Sequence, residues 1–291
     1  MRTTRALVIR NLRIYARDRM GVFLSLLSAL ILLLLYVLFL GTLQVDNLTE
    51  KFPDVDTDTV SAYVSSWVFA GIIMITTFTT GFAALGTYVD DRVTGRFKEF
   101  RVSPVRRSQL IVGYQVSATI VSLAMSYIVM AIGILLLKLM YGVWPGAVNV
   151  LVAAGYTALL SAAFSALSSW AITFVATNGT FTAMSTIMGT LLGFLAGAYL
   201  PLGVVSENVR NVINVLPFSP AAMLLREPLA GTALDKLSPY DEATKAVRTY
   251  YGHTLTVGST EILPWMVVVV LAIITIVFTV LGSYRIGRTI R

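Results

Sequence analysis

The sequence has no cysteine and only one histidine, His253. A disulfide framework, a thiolate zinc site and a cysteine nucleophile are therefore excluded, and so is a metal site that needs two histidines. Without a second histidine to complete a site, His253 is predicted to be a surface residue. The sequence also lacks the Gly-Lys-Ser/Thr of a P-loop and the Gly-x-Ser-x-Gly of a hydrolase. We therefore expect no catalytic residue, no metal and no cofactor on this chain.

Charged residues are scarce as well, at 13% of the 291 residues, whereas a soluble domain has about a quarter. Charge-free stretches cover residues 20–45, 59–89, 108–137, 139–206 and 262–284. A helix needs about 20 apolar residues to cross a bilayer, so four stretches fit one span each and 139–206 fits two. The sequence therefore predicts an all-α integral membrane protein with six transmembrane helices, near residues 21–43, 61–89, 109–140, 147–176, 181–200 and 262–284.

The interiors of these predicted spans contain no Asp, Glu, Lys, Arg or His. Carriers driven by ions or protons bury such groups within the membrane, so a stand-alone secondary carrier is disfavoured. The spans instead contain many serines and threonines. We interpret these hydroxyls first as helix-packing groups that bond back to their own helix, and second as a weakly polar path for an amphipathic substrate.

The basic residues lie almost entirely on one predicted side of the membrane. Residues 1–20, 90–107 and 285–291 hold 15 of the 22 lysines and arginines, whereas 44–60 has one lysine against five acids. Because Lys and Arg mark cytoplasmic segments, both termini and the 90–107 loop are predicted to be cytoplasmic. The net charge of +7 is thus interpreted as a topology signal, and no nucleic-acid partner is expected.

Residues 3–19 have the pattern of an amphipathic helix, with Val8, Leu12 and Tyr15 on one face and arginines on another. Within residues 1–20 we therefore predict an interfacial helix whose apolar face lies at the lipid headgroups and whose cationic face meets anionic lipid. The alternative is a simple positively charged anchor that only sets the topology.

The cytoplasmic loop 90–107 is predicted to contain a short amphipathic helix that ends before Pro104. Val93, Phe97 and Phe100 follow one another at helical spacing, with Arg92, Arg96 and Glu99 between them. An exposed apolar stripe of this kind is costly in water. We therefore expect it either to lie on lipid or to dock in the groove of a partner protein.

Two further patterns occur in the second half of the chain. Gly189, Gly193 and Gly197 form a small-residue ladder in the fifth span, which serves packing within one subunit or an interface between subunits. Residues 198–230 are apolar but interrupted by four prolines, so their short apolar pieces are predicted to be re-entrant or interfacial helices on the outer side. Residues 231–261 are predicted to form a polar, exposed external excursion.

With these features in place, the sequence resembles a permease subunit of the ABC type-2 exporter family. Residues 91–105, Asp-Arg-Val-Thr-Gly-Arg-Phe-Lys-Glu-Phe-Arg-Val-Ser-Pro-Val, are similar to the family's cytoplasmic loop. Val93 stands where the family usually has a second acid, and Arg96 where it usually has threonine after the glycine. Residues 197–202, Gly-Ala-Tyr-Leu-Pro-Leu, and 216–220, Leu-Pro-Phe-Ser-Pro, resemble the family's signature after span five. The resemblance covers all of residues 1–291 as a single transmembrane domain.

The resemblance implies a multi-pass plasma-membrane complex of two permease subunits, expected to be identical, and two ATP-binding subunits that carry the ATP and Mg²⁺. Residues 91–101 would be the coupling helix that docks in the ATPase. Its expected coupling residues are Arg92, Val93, Arg96, Phe97, Glu99, Phe100 and Arg101. The outer re-entrant helices would lie within residues 201–261. The expected residues of this outer motif are Tyr199, just before that range, and Pro201, Pro217 and Pro220 within it.

The expected substrate is a hydrophobic or amphipathic molecule, such as an antibiotic, a lipid or a peptide, moved out of the cytoplasm. A polysaccharide or glycolipid export permease is the less favoured alternative. Its conduit would need aromatic rings along the channel, and most of the candidates lie near span ends, where interfacial aromatic residues are expected in any case: Tyr63, Trp67, Tyr88, Tyr114, Tyr127 and Trp170. A secondary carrier is less favoured because buried ionisable groups are missing. A non-transporting immunity or sensor protein is the third alternative.

Overall fold

The computed structural model describes residues 2–36, 41–97, 107–237 and 241–289, and within these it is mostly helical. Its twelve α-helices in the described residues are α1 Arg2–Arg17, α2 Arg19–Leu35, α3 Gly41–Lys51, α4 Thr57–Ala84, α5 Gly86–Val93, α6 Arg107–Tyr141, α7 Ala147–Ala171, α8 Asn178–Leu195, α9 Glu207–Val215, α10 Phe218–Leu237, α11 Asp241–Tyr250 and α12 Pro264–Thr289. Two short 3₁₀ turns lie at Ile172–Phe174 and Leu202–Val204, and two strands, β1 Leu255–Val257 and β2 Thr260–Ile262, form a hairpin.

Four helical segments of the described chain are long and apolar enough to cross a membrane: Thr57–Val93, Ser108–Tyr141, Ala147–Phe174 and Pro264–Arg285. They fall on the second, third, fourth and sixth predicted spans. The helices at the first and fifth predicted spans, α2 and α8, do not meet the same limits of length and hydropathy over their described residues. The count of six spans therefore stays a prediction.

Helix α4 forms the centre of the bundle. Of its 28 residues, 21 are buried, and a helix that is apolar on all sides is stable only when other helices surround it. It contacts α2, α3, α6, α7, α8 and α10. The approach is close at Gly81, where a Cβ would lie 3.0 Å from Ser165 Oγ and 3.4 Å from Ser122 Cβ. Small residues at such crossings let helix backbones come together.

The threonine hydroxyls of the bundle mostly donate hydrogen bonds to backbone carbonyls of their own helices. The hydroxyls of Thr76, Thr80 and Thr157 each donate to the carbonyl four residues earlier, at 2.6 to 2.8 Å. Ser122 is different, because it donates to Thr77 O on the neighbouring helix at 2.6 Å. The back-bonding is the arrangement that the packing interpretation of these hydroxyls predicts.

Helix α1 packs against α6, so its apolar face is not wholly free for lipid. Leu7 and Asn11 are buried there, and Leu7 Cβ would lie 3.1 Å from a Cβ added at Gly113. Leu12 and Tyr15, from the face predicted to enter the headgroups, are half-buried against the protein core. The predicted face is therefore covered in part by the chain's own helices, and its contact with lipid headgroups stays a prediction.

The prolines after α8 interrupt the chain less than the sequence suggests. Pro217 precedes α10 and Pro220 lies in its first turn, where the missing N–H is tolerated, but Pro228 lies inside the helix. Helix α10 continues to Leu237, buried against α4 and α7. The predicted start of an exposed excursion at residue 231 is therefore wrong. Burial on several sides stabilises α10 enough to offset the one backbone hydrogen bond that Pro228 removes.

In the remaining described residues of that segment, Tyr251 and His253 lie against Tyr63 and Trp67 near the start of α4. The hairpin pairs Leu255 with Ile262 and Val257 with Thr260, and Asn214 Nδ2 of α9 donates to Thr256 O at 2.9 Å. We call this end of the bundle, formed by residues 196–237 and 241–262, the far end. The opposite end, which holds α1, α5 and the start of α6, is the arginine-rich end. A helix of 28 residues such as α4 is about 42 Å long at 1.5 Å per residue, so it spans the distance between them.

Candidate functional site

At the arginine-rich end, one buried carboxylate joins three helices. Asp91 of α5 is 0% exposed, and it accepts two hydrogen bonds of 2.7 Å from the guanidinium of Arg10 in α1. Arg96 donates a third bond at 3.2 Å, and the Tyr114 hydroxyl of α6 donates a fourth. Helices α1, α5 and α6 and the turn after α5 therefore meet at this side chain.

The geometry explains how a charge is tolerated in this position. A buried carboxylate costs several kcal/mol unless it is paired and its oxygens are hydrogen-bonded, and the two-pronged arginine contact is the strongest form of such a pair. The hydrogen bond to Asp91 raises the pKa of Arg10 above its usual range, although partial burial of Arg10 acts in the opposite direction. Arg10 therefore stays charged at every physiological pH.

The next residue, Arg92, reaches a different part of the bundle. Its guanidinium donates to Thr173 O at 3.1 Å and to Val175 O at 2.8 Å, in the turn between α7 and α8. In the same turn, Phe174 lies under the guanidinium of Arg285 from α12, 3.5 Å from the ring centroid. We call Asp91 and Arg92 together the Asp91–Arg92 joint, because two successive residues hold α1 and α6 on one side and α7 and α8 on the other.

The predicted coupling helix is not continuous across residues 91–97. Helix α5 ends at Val93, and Gly95 adopts a positive φ of +76° that breaks the helical spacing. Val93 is exposed, but Phe97 is buried and packs edge-on against Tyr88, with ring centroids 5.2 Å apart. The expectation of one exposed stripe is therefore wrong for Phe97. The physical reason is a glycine in the left-handed region, which helical spacing alone does not reveal.

The other predicted coupling residues divide into two groups. Arg92 and Arg96 are engaged within the chain, at the joint. Glu99, Phe100 and Arg101 lie outside the described residues. A coupling role for the segment stays a prediction.

The glycines of the fifth predicted span do not form one ladder. Gly189 has open space around it, whereas a Cβ at Gly193 would collide with the ring of Tyr199 from the same chain. Gly197 lies beyond the end of α8, with a positive φ of +62° typical of a helix C-terminal cap. Gly193 therefore serves packing within the subunit, and an interface role remains a prediction for Gly189.

The predicted outer motif lies at the far end. Tyr199 covers Gly193 and meets Phe194 edge-on at 5.2 Å between ring centroids. Pro201 is buried and leads into the turn Leu202–Val204, and Pro217 and Pro220 frame the start of α10.

Arg226 was not among the residues predicted from the sequence. It lies in α10, is fully buried, and donates to Ala196 O, Gly197 O and Gly252 O at 2.8 to 2.9 Å. Its guanidinium carbon lies 5.6 Å from the centroid of the Trp67 ring. A signal was available, since Arg226 and Glu227 are the only charges within the otherwise charge-free run 211–234.

His253 is buried beside Arg226, so its predicted surface position is wrong. Its Nδ1 lies 3.3 Å from Glu227 Oε2 and its Nε2 lies 3.2 Å from the Tyr63 hydroxyl. Burial lowers the pKa of His253, while the bonds from His253 and Arg248 hold the pKa of Glu227 at about 2. The neutral imidazole therefore donates from Nδ1 to the Glu227 carboxylate and accepts from Tyr63. No group of His, Asp and Glu that could hold a metal ion is found among the described residues.

The comparison with protein families decides the identity. The model of the ABC-2 type transporter family matches residues 2–229, which includes both the Asp91–Arg92 joint and Arg226. The chain is an ABC-2 type transporter membrane domain. A comparison with curated proteins gave no match.

Membership explains several features of this ABC-2 membrane domain together. It is an integral membrane protein and a transport permease component, in agreement with a chain from which the P-loop and hydrolase motifs are absent. Membrane domains of this family normally pair with an ATP-binding subunit. The match ends within α10, one residue after Pro228, so α11, the hairpin and α12 lie beyond the matched region.

Proposed function

We propose that this chain is the membrane subunit of an ATP-driven exporter, with two copies of it and two ATP-binding subunits in the complex. The arginine-rich end faces the cytoplasm, the chain crosses the membrane six times, and the substrate is a hydrophobic or amphipathic molecule. The Asp91–Arg92 joint is the observation that carries the proposal, because it connects the loop nearest the proposed ATPase to most of the bundle.

The joint provides a mechanical route for the energy of ATP hydrolysis. A displacement of the loop that begins at Thr94 acts on Asp91, which is bonded to α1 and α6, and on Arg92, which is bonded to the turn between α7 and α8. These bonds are charge-assisted or made to buried backbone carbonyls, so the contacts resist separation and the helices move with the loop. Helix α5, which carries Asp91 and Arg92, follows directly after α4, and α4 begins at the far end.

A groove between α2, α4 and α8 supports an apolar or amphipathic substrate. Its volume is about 350 Å³. It combines aliphatic and threonine side chains, and its lining residues are Ala29, Ile31, Leu32, Ile72, Ile75, Thr76, Thr79, Thr186, Gly189, Thr190 and Tyr199. Such a wall offers dispersion contacts along its length and only weak hydrogen bonding, which suits a molecule with a large apolar part.

The aromatic side chains disfavour the polysaccharide alternative. Of the six candidate rings along a sugar conduit, Tyr63, Trp67, Tyr88 and Tyr114 are buried within the single subunit, and Tyr127 and Trp170 are half-buried. Trp67 instead donates from Nε1 to Tyr251 O at 2.7 Å. Rings that pack inside one chain cannot stack on a passing sugar unless the bundle rearranges.

Reconstitution in vesicles tests the proposed function directly. With its ATP-binding subunit, the protein is expected to move ethidium or NBD-labelled phosphatidylethanolamine only when ATP is hydrolysed. Replacing the P-loop lysine of the ATP-binding subunit should stop the transport, because the chain has no nucleotide site to substitute for it. Probe efflux by this chain alone, driven by a pH gradient without ATP, would favour a secondary carrier and refute the proposal.

A matched pair of glycine variants connects that assay to the groove. Gly189→Leu should fill part of the groove and reduce ATP-driven transport, whereas Gly155→Leu, on an exposed part of α7, should not. A Cβ at either position meets no atom within 4 Å, so both variants should fold. Equal transport by the two variants would show that the substrate does not use this groove.

The proposed orientation predicts which introduced cysteines react from outside. Thr57, Lys245 and Thr94 are exposed, and the natural chain has no cysteine that would add background. In intact cells, Thr57→Cys and Lys245→Cys should react with a membrane-impermeant maleimide, and Thr94→Cys should react only after the membrane is opened. Labelling of Thr94→Cys in intact cells would reverse the orientation.

A further inference from the structure

Arg226 is held by the ends of two helices that come from distant parts of the chain. Ala196 and Gly197, which accept from its Nη2, come directly after the last residue of α8. Gly252, which accepts from its Nη1, lies two residues beyond the end of α11. Helix C-termini leave backbone carbonyls unpaired and carry a partial negative charge, so two of them together stabilise a buried cation.

The backbone at these positions is shaped for the contact. Gly197 and Gly252 have positive φ values of +62° and +72°, which turn their carbonyls away from the helical direction. A Cβ at Gly252 would collide with the Arg226 guanidinium, and one at Gly197 would lie 3.2 Å from it. Only glycine at position 252 leaves room for the guanidinium to reach both helix ends.

Burial of the guanidinium opposes the stabilisation that the contact gives. Burial lowers the pKa of Arg226 to about 10, so the group stays charged at neutral pH while it bears the cost of desolvation. Its Nε is buried without a hydrogen-bond partner in the described part of the chain. If the helix ends separate and water enters, the guanidinium and the three carbonyls all become hydrated, which offsets much of the loss of the contact.

One of the two helices that Arg226 joins, α8, also borders the groove. The groove wall includes Gly189 and Thr190 of α8 and then Tyr199, which lies just beyond the helix end. Helix α8 leaves large apolar side chains exposed along its length, including Ile187, Leu191 and Phe194. Besides the packing of buried residues such as Leu192, its far end is held by the residues just after it, through the Arg226 contacts and the packing of Ala198 against Gly71.

We infer that Arg226 is a latch at the far end: it holds the ends of α8 and α11 together, and their separation during transport opens the groove toward that end. The inference rests on the proposed function and adds the element that gates it. Arg226 is a positioning residue in this account, since it acts through the backbone of α8 and not by touching the substrate.

A disulfide across the latch tests the inference. Gly203, in the turn after α8, and Tyr250, the last residue of α11, are adjacent: a Cβ at Gly203 would lie 2.6 Å from Tyr250 Cγ. In Gly203→Cys/Tyr250→Cys, oxidation should therefore form a disulfide between the turn that follows α8 and the last residue of α11, beside the helix ends that Arg226 joins. We expect ATP-driven transport to be lost on oxidation and restored by a reductant, while ATP hydrolysis continues.

The control disulfide lies in the nearby hairpin. Val257→Cys/Thr260→Cys joins paired residues of β1 and β2 without bridging the helix ends, so its oxidation should leave transport unchanged. Unchanged transport after complete oxidation of the 203–250 pair would overturn the latch. Absence of ATP-driven transport in the wild-type and reduced proteins would count instead against the proposed function.

A second measurement needs no transport. If the latch opens in the transport cycle, binding of a non-hydrolysable ATP analogue to the complex should change the rate at which the 203–250 disulfide forms by several-fold. The rate for the 257–260 pair should stay the same. Equal rates with and without the nucleotide for both pairs would refute the latch even if the double variant were inactive.

Discussion

Arg10→Met is expected to destabilise the protein by about 3 kcal/mol, at the lower end of the range for breaking a buried ion pair. The substitution removes two of the four hydrogen bonds to the fully buried Asp91 carboxylate and leaves Arg96 and Tyr114 as its partners. The cost arises mainly from the carboxylate, which stays buried with less compensation. Denaturant unfolding in detergent micelles, followed by tryptophan fluorescence, measures it.

Two further variants distinguish the effect of losing the Arg10–Asp91 ion pair from the effect of losing any positive charge on α1. Arg13→Met, on the exposed side of the same helix, should change the free energy of unfolding by less than about 0.5 kcal/mol. In Arg10→Met/Asp91→Leu the buried charge is removed as well, so much of the lost stability should return. If the double variant were less stable than Arg10→Met, the explanation by an uncompensated carboxylate would be wrong.

Arg226→Met is expected to have an effect of similar size at the opposite end, about 2–4 kcal/mol, because each buried carbonyl left without a donor costs about 1–3 kcal/mol. Methionine has a similar length but cannot donate to Ala196 O, Gly197 O or Gly252 O. The closed arrangement of the two helix ends then becomes unfavourable. Amide hydrogen exchange should rise in residues 196–204 and 251–253, while the arginine-rich end keeps its protection.

Arg210→Met provides the control for that experiment. Arg210 lies on α9 at the same end and is only half-buried, so its replacement should leave hydrogen exchange at α8 and α11 unchanged. Arg226→Lys should fall between the wild type and Arg226→Met, since an ammonium group can donate to some of the three carbonyls but lacks the planar fork. Exchange that rises equally at both ends would indicate global unfolding and not release of the latch.

The sequence predicted much of the bundle because a helix that crosses a bilayer needs a long apolar run without charge, and the length of such a run can be counted in the sequence. Stretches without charge and of sufficient length identified the four long helices, and Ser122 and Thr76 belong to the hydroxyl pattern that packs them. The family was also predicted from the sequence, since the loop 91–105 and the segments near Pro201 and Pro217 carry the features on which the resemblance was based, and the family match includes them.

The predictions that failed have one cause in common. Leu12 and Tyr15 of α1 and Phe97 were recognised as apolar, but the predicted surroundings were lipid or a partner where the structure has the chain's own helices covering Phe97 and part of Leu12 and Tyr15. Periodicity shows which face is apolar and contains no information about what covers it. His253 was placed on the surface for a similar reason, because a lone histidine in a polar segment does not reveal Tyr63 and Glu227 beside it.

The sequence by itself therefore determined the membrane class, the candidate spans, the side preference of the arginines and the family, which all depend on composition and local order along the chain. Only the tertiary structure decided that Asp91 joins α1 to α6 and that Arg226 joins the ends of α8 and α11. These contacts connect residues up to 81 positions apart, as between Arg10 and Asp91. A buried charge is stable only where its partners converge in space, and that convergence is a property of the packed helices.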